Sequence, residues 1–198
     1  MKNILIFGSS RSGTHALGSK ISKEQGLINL GEICLADEKI DPQVDIQRIF
    51  DSTNGRKVAH IVQMSSKISL GGMVTNIKEH CEIIVLRRRD KLKQFSSWMY
   101  FHKAGGVMIK WHNHKRSDML IQKREIEASR SDIDQFLLEQ MIDDFFQPDQ
   151  ILYYEDIDFS NSNYQKNQYS WELPLIFSNL DFVKEELNNW QYPPGKIL

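Results

Sequence analysis

A chain of 198 residues, 40% hydrophobic, with 25 Lys and Arg against 26 Asp and Glu, is long enough for one ordinary core and carries a net charge of only −1. That balance gives no support to a general nucleic-acid or membrane-surface role; anions, where they bind, bind at sites. Cys34 and Cys81 share no metal-like spacing, no stretch approaches ~18 consecutive apolar residues, and the chain enters apolar residues after Met1-Lys2-Asn3 without the pattern of a secretory leader, so a soluble protein of the reducing cytoplasm is expected.

Ile4-Leu5-Ile6-Phe7 is an apolar run that predicts a strand, and Ala16 to Lys23 predicts a helix after an intervening loop. Leu27-Ile28-Asn29-Leu30 reads as a short strand ending at Gly31-Glu32, and Asp41 to Phe50 as a helix. Lys57 to Val62 is a β-branched strand; Met73 to His80 can cross over as a helix to Glu82-Ile83-Ile84-Val85-Leu86, whose unbroken apolarity suits a strand buried on both faces. Asp90 to His102 predicts a helix with Leu92, Phe95 and Met99 on one stripe. A second stripe runs through Ile133, Phe136, Leu137, Met141 and Phe145, opened by Ser131-Asp132-Ile133-Asp134 as a capping start. Gln150 to Tyr154 is a further strand and Asp181 to Trp190 a final amphipathic helix. Strands alternating with helices argue for an α/β fold, a three-layer parallel sheet with helices on both faces and ligands at the carboxyl ends of the strands.

The loop between the first strand and helix, Gly8-Ser9-Ser10-Arg11-Ser12-Gly13-Thr14-His15, carries the chemistry. Its two glycines frame a phosphate-binding loop, in which backbone N–H groups and a helix N-terminus converge on an anion. A nucleoside triphosphatase loop continues Gly-Lys-Ser/Thr, the lysine for the β/γ-phosphates and the hydroxyl for Mg²⁺; here Gly13 is followed by Thr14 and His15. The remaining cation, Arg11, sits inside the loop. That combination points to a nucleotide-like donor handled without magnesium. A second constellation, Leu86-Arg87-Arg88-Arg89-Asp90-Lys91-Leu92-Lys93-Gln94-Phe95-Ser96-Ser97-Trp98, is a buried strand emptying into a basic corner and then a helix. Arginines at a strand end form bidentate bonds to phosphate, and Ser97 stands about two turns into that helix at ~3.6 residues per turn. Taken alone, three adjacent arginines also describe a solvated basic patch.

Read together, these stretches resemble the sulfotransferase superfamily, which transfers a sulfuryl group from 3′-phosphoadenylyl sulfate. Ser10-Arg11-Ser12-Gly13-Thr14-His15 resembles its 5′-phosphosulfate loop. The segment from Arg89 to Trp98 resembles its 3′-phosphate motif, most closely in the trehalose-sulfotransferase-like branch, and Leu152-Tyr153-Tyr154-Glu155-Asp156-Ile157 is similar to its Tyr-Glu-Asp-Leu segment. The three occur in the family's order across residues 4 to 157. The resemblance implies a fold like that of phosphate-loop nucleoside triphosphatases, over a single domain at 1–198 in which 105–130 is an excursion serving as lid or acceptor site.

Residue by residue, it implies that Arg11 is the catalytic cation opposite the leaving phosphate oxygen, and that Ser10, Ser12, Gly13, Thr14 and His15 hold the 5′-phosphosulfate. His15 departs from the threonine or serine frequent in relatives. Arg89 and Ser97 are implied for the 3′-phosphate, with Arg88 and Ser96 at the same spacing, and Lys166 is a further candidate ligand to it or else a solvated loop lysine. His60, in Lys57-Val58-Ala59-His60, resembles a Lys-x-x-His or Lys-x-His arrangement and is a candidate base; Glu32 is its rival. As plain structure, His60 would be a satisfied core histidine and Glu32 a turn residue. His80, His102, His112 and His114 show no fixed pairing with cysteine or carboxylate, so no metal is expected. Trp98, Tyr100, Phe101 and Trp111 are candidates for an acceptor pocket or for core.

The expected function is metal-independent in-line sulfuryl transfer from 3′-phosphoadenylyl sulfate to a hydroxyl on a small molecule or glycan, releasing adenosine 3′,5′-bisphosphate. A phosphate-loop kinase with a degenerate loop and a nucleotide-binding module without transfer activity are the alternatives.

Overall fold

Ile4-Leu5-Ile6-Phe7 offers no polar face, so the strand that contains it must be covered on both sides. It lies at the centre of a parallel sheet. The computed structural model describes residues 2–9, 11–33, 50, 55–61, 78, 80–102, 124–141, 148–159 and 175–189, and they divide between two compact units, Met1–Arg89 with Glu139–Gln165, and Asp90–Leu138 with Lys166–Leu198.

In the first unit, β1 (Asn3–Phe7) leads into α1 (Thr14–Gln25), β2 (Ile28–Glu32), β3 (Lys57–Ile61), β4 (Cys81–Arg87) and β6 (Gln150–Tyr153), the last followed by a 3₁₀ turn at Tyr154–Asp156. The sheet order is β2-β3-β1-β4-β6, with every pair parallel. Ile6 stands opposite His60 on one side and Ile84 on the other, and Phe7 opposite Ile61 and Val85. The chain therefore leaves β3 and crosses β1 to enter β4. In such sheets ligands bind at the carboxyl edge where the direction of winding reverses, here beside the exit of β1.

The alternation of faces sorts the core. Ile4, Ile6, Val58, Ile84 and Leu86 meet Leu17 and Ile21 of α1, with Leu27 beside them. On the other face Leu5, Phe7, Ala59, Ile61, Ile83 and Val85 are buried too. Helix α1 ends where Gly26 adopts the left-handed conformation at φ 65, its amide bonded to the Ser22 carbonyl, which returns the chain into β2. The Asp149 carboxylate accepts from the Ile83 amide at 2.8 Å, while the Asp149 amide donates to the Ile83 carbonyl at 2.9 Å; this exchange aligns β6 on β4.

The second unit holds α2 (Lys91–His102), β5 (Arg124–Ile126), most of α3 (Arg130–Met141), β7 (Leu175–Phe177) and α4 (Leu180–Asn189), with β5 and β7 paired in parallel. Its centre is aromatic: the Phe95 ring lies 5.5 Å from Phe177 and 5.2 Å from Phe136, with Trp98 packed beside it. Trp98 is wholly buried in that cluster and is therefore core, as are Phe95 and Met99 of the expected stripe. The start of α3 differs from expectation. Ser129 caps it, its hydroxyl accepting from the Asp132 amide at 3.2 Å while the Asp132 carboxylate accepts from the Ser129 amide at 3.1 Å, so the reciprocal box sits two positions before Ser131. Short β5 and β7 were not expected, because three residues carry too little periodicity to read. Residues 41–49 of the expected helix over 41–50, most of the crossover helix at 73–80 and residues 105–123 of the expected excursion over 105–130 lie outside the described residues.

Two substitutions on adjacent residues of α1 test this packing with opposite signs. Leu17, 2% exposed, loses about 2–5 kcal/mol of stability on replacement by alanine. Gly18→Ala places its new methyl 3.6 Å from the nearest atom, ordinary contact, and gains up to about 1 kcal/mol from helix propensity. Urea unfolding of the two variants measures both.

Candidate anion-binding site

The loop after β1 is built by close approach. The Gly8 amide donates to the Ile61 carbonyl at 3.2 Å, tying the loop to the end of β3, and the Ser12 amide donates back to the Ser9 carbonyl at 3.1 Å. Arg11 and Gly13 both adopt positive φ, 66 and 102. A Cβ on Gly8 would stand 2.3 Å from Ser12 Oγ and 2.7 Å from Thr14 Cγ2, and one on Gly13 would stand 2.5 Å from the Tyr154 ring. Both glycines are thus required by space, and Gly13 by conformation as well. Arg11 is different: a side chain in the left-handed region carries strain of order 1 kcal/mol, a state found mostly where function holds it.

Helix α1 starts directly from this loop, with Gly13 at its N-cap, no side-chain cap and no acidic residue in its first turn. Its leading amides point back along the axis toward the loop, and the first turn supplies no acidic side chain to the positive end of the helix dipole. Ser12 is 1% exposed and its hydroxyl makes no hydrogen bond among the described residues, while Ser9 Oγ donates to Gln140 Oε1 at 3.1 Å. A buried hydroxyl without a partner is uncommon in a settled structure.

At the adjacent strand end the two arginines separate. Arg88 lies with its guanidinium 4.2 Å from the Tyr154 ring centre, and its Nε donates to the Ser12 carbonyl at 3.4 Å. Tyr154 also covers Gly13, so one ring joins the loop to the cation. Arg89 turns to the 3₁₀ segment: its guanidinium makes a two-pronged contact with Asp156, one prong at 2.6 Å, its amide donates to Glu155 at 3.1 Å, and it stacks on Tyr153. The Arg89 hydrogen bond holds the Asp156 carboxyl below its ordinary range, and both groups are exposed. Such a pair contributes little stability by itself; its effect is to occupy Arg89, while Arg88 keeps its contact with the loop.

His60 and His15 meet on the other side of β1. His15 Nδ1 lies 3.1 Å from His60 Nε2 with the rings edge to face. His60 is 1% exposed, and burial, aided by His15, lowers its pKa to about 4. His15 is the exposed member. Lys57 and His60 are three residues apart on a strand and so point to opposite faces; the Lys57 ammonium is buried against the Phe50 carbonyl at the amino end of β3. Glu32 ends β2 in register with His60, exposed on the same carboxyl edge as the loop.

The structure thus gathers Arg11, Ser12, Gly13, Thr14 and His15 with His60 and Arg88 at one edge, and engages Arg89 elsewhere. Ser96 and Ser97 lie on α2 in the second unit; Ser10 and Lys166 lie outside the described residues. The contact between His15 and His60 was not legible in the sequence, since it depends on β1 and β3 being neighbours. The packing of Tyr154 on Gly13 was equally hidden; its only signal was the aromatic pair ending β6. Among the described residues no cluster of His, Cys, Asp and Glu is placed to hold a metal ion, and no helix is long and apolar enough to cross a membrane.

Two outcomes follow from this geometry. Gly13→Ala lowers stability by about 1–3 kcal/mol through left-handed strain and the clash with Tyr154, measured by urea unfolding. His60 has a folded pKa below its ordinary 6.5, so its contribution to stability is complete above pH 6.5 and is lost as pH falls toward 4, where the unfolded chain takes up a proton that the folded one refuses. The loss is at most about 3 kcal/mol, and His60→Gln flattens the stability profile across that window.

Comparison of the chain with protein-family models, with curated proteins and with solved structures found no match.

Proposed function

We propose that the protein is a sulfotransferase that uses 3′-phosphoadenylyl sulfate, on a sheet wound like that of the phosphate-loop nucleoside triphosphatases. The observation that carries this reading is the pairing, at the exit of the central strand, of an anion-accepting loop with Arg88 against its Ser12 carbonyl, in a loop that lacks the lysine of a triphosphatase. A donor with one anionic group at its 5′ end and a separate 3′-phosphate matches an amide-lined loop plus a flanking guanidinium. Arg88, rather than the Asp156-bound Arg89, is assigned to the 3′-phosphate.

In the reaction the acceptor oxygen forms a bond to sulfur as the bond between sulfur and the bridging oxygen of the 5′-phosphate breaks. The electron pair stays on that oxygen, Arg11 offsets the charge, and the acceptor proton passes to Glu32. Glu32 takes this role because it is exposed on the loop's edge, whereas His60 is buried and remains neutral to about pH 4. The products are a sulfate ester on a small molecule or glycan and adenosine 3′,5′-bisphosphate.

Calorimetry without metal tests the reading. Adenosine 3′,5′-bisphosphate binds more tightly than ADP or ATP, and Arg88→Ala reduces that affinity about tenfold or more, the range for a charge-assisted contact of about 1.5–3 kcal/mol, while Arg89→Ala has the smaller effect. Equal affinity for the three ligands contradicts the assignment. Arg11→Gly relieves the positive φ and removes the cation: stability stays within about 1 kcal/mol of the parent or rises, and turnover falls far more than donor affinity.

A further inference from the structure

His15 interrupts a loop sequence that otherwise needs no imidazole, and its ring is held from behind by a histidine that never reaches solvent. The contact is between His15 Nδ1 and His60 Nε2, 3.1 Å apart, so one nitrogen donates and the other accepts. Two arrangements are available to a pair of neutral rings. If His60 carries its proton on Nδ1, that N–H is a buried donor without an acceptor, since among the described residues His60 Nδ1 makes no hydrogen bond. If the proton is on Nε2, the orphan is a lone pair, which is the smaller penalty. The second arrangement makes His60 the donor. His15 Nδ1 must then accept, and the only proton of a neutral His15 lies on Nε2.

That nitrogen belongs to the exposed ring in the first turn of α1, beside a loop whose buried Ser12 hydroxyl has no partner among the described residues. We infer that His60 is a positioning residue that locks His15 in the Nε2–H form, presenting a neutral donor to an oxygen of the anion held by the Gly8–Gly13 loop. The inference rests on reading that loop as the donor's 5′ anion site. It explains why an imidazole stands where a hydroxyl would do: a ring fixed from behind donates in one direction only, while a hydroxyl rotates. It also removes His60 from direct proton transfer and gives its burial a purpose. His15 cannot accept the acceptor's proton at Nε2 in this form, which agrees with Glu32 as the base.

The test uses the full chain labelled with ¹⁵N-histidine. At pH 7 and without ligand, long-range ¹⁵N–¹H correlation spectra show both His15 and His60 as Nε2–H tautomers; His60 protonated on Nδ1 overturns the inference. Adenosine 3′,5′-bisphosphate then shifts the His15 Nε2 resonance and leaves His60 in the same tautomer. His60→Phe weakens binding of this ligand about tenfold, and His60→Gln, whose amide supplies a donor in the place of Nε2, restores most of it. His15→Phe, at an exposed site, gives the same loss should His60→Phe fold poorly. Unchanged affinity in His15→Phe overturns the proposal. Should the parent protein ignore adenosine 3′,5′-bisphosphate and yet bind pyrophosphate with the same dependence on His15 and His60, the sulfotransferase reading fails and the histidine lock stands; binding of neither overturns the lock as well.

Discussion

The structure depends on how tightly the chain turns as it leaves β1. The Gly8 amide is bonded to Ile61, the Ser12 amide returns to Ser9, and Gly8 has no room for a methyl group because Ser12 and Thr14 occupy it. This closure aims the first turn of α1 back at the loop and brings Thr14 and His15 to the sheet's carboxyl edge. It also sets Gly13 under Tyr154. With the loop opened, α1 would lose its docking through Leu17 and Ile21, and Arg88 its contact with Ser12. The strain carried by Arg11 at positive φ is held by the same closure.

Charge at this edge is divided rather than pooled. Three consecutive arginines end β4, yet Arg89 is committed to Asp156 and Glu155, and its stacking on Tyr153 fixes the 3₁₀ segment in place. That segment in turn supplies Tyr154, which carries Arg88 on one side and covers Gly13 on the other. The acidic pair after β6 thus organises one arginine so that its neighbour is delivered to the loop. On the opposite side of β1 burial keeps His60 neutral, so it holds His15 by a hydrogen bond rather than by charge.

Much of this was legible in the sequence where local rules apply. Unbroken apolar runs marked β1 and β4, and two glycines before a helix marked the loop, because burial on both faces and close backbone approach leave residue-type signatures. Helix stripes at Leu92, Phe95 and Met99 were equally plain. What escaped depends on which strands become neighbours. His15 and His60 touch only because β3 pairs with β1, and Lys57 points away from His60 only because a strand alternates its faces. The choice between Arg88 and Arg89 turned on Asp156, distant in sequence and adjacent in space. Short strands β5 and β7 left no pattern at all.

The central claim is that the Gly8–Gly13 loop and Arg88 bind two anionic groups of one adenine nucleotide. A crystal structure with adenosine 3′,5′-bisphosphate tests it most directly. The 5′-phosphate is expected in the loop, within hydrogen-bond distance of the Gly13 and Thr14 amides and the Ser12 hydroxyl, with the 3′-phosphate on Arg88. Density for the nucleotide away from the exit of β1, or a phosphate on Arg89 with Asp156 displaced and Arg88 untouched, would contradict it.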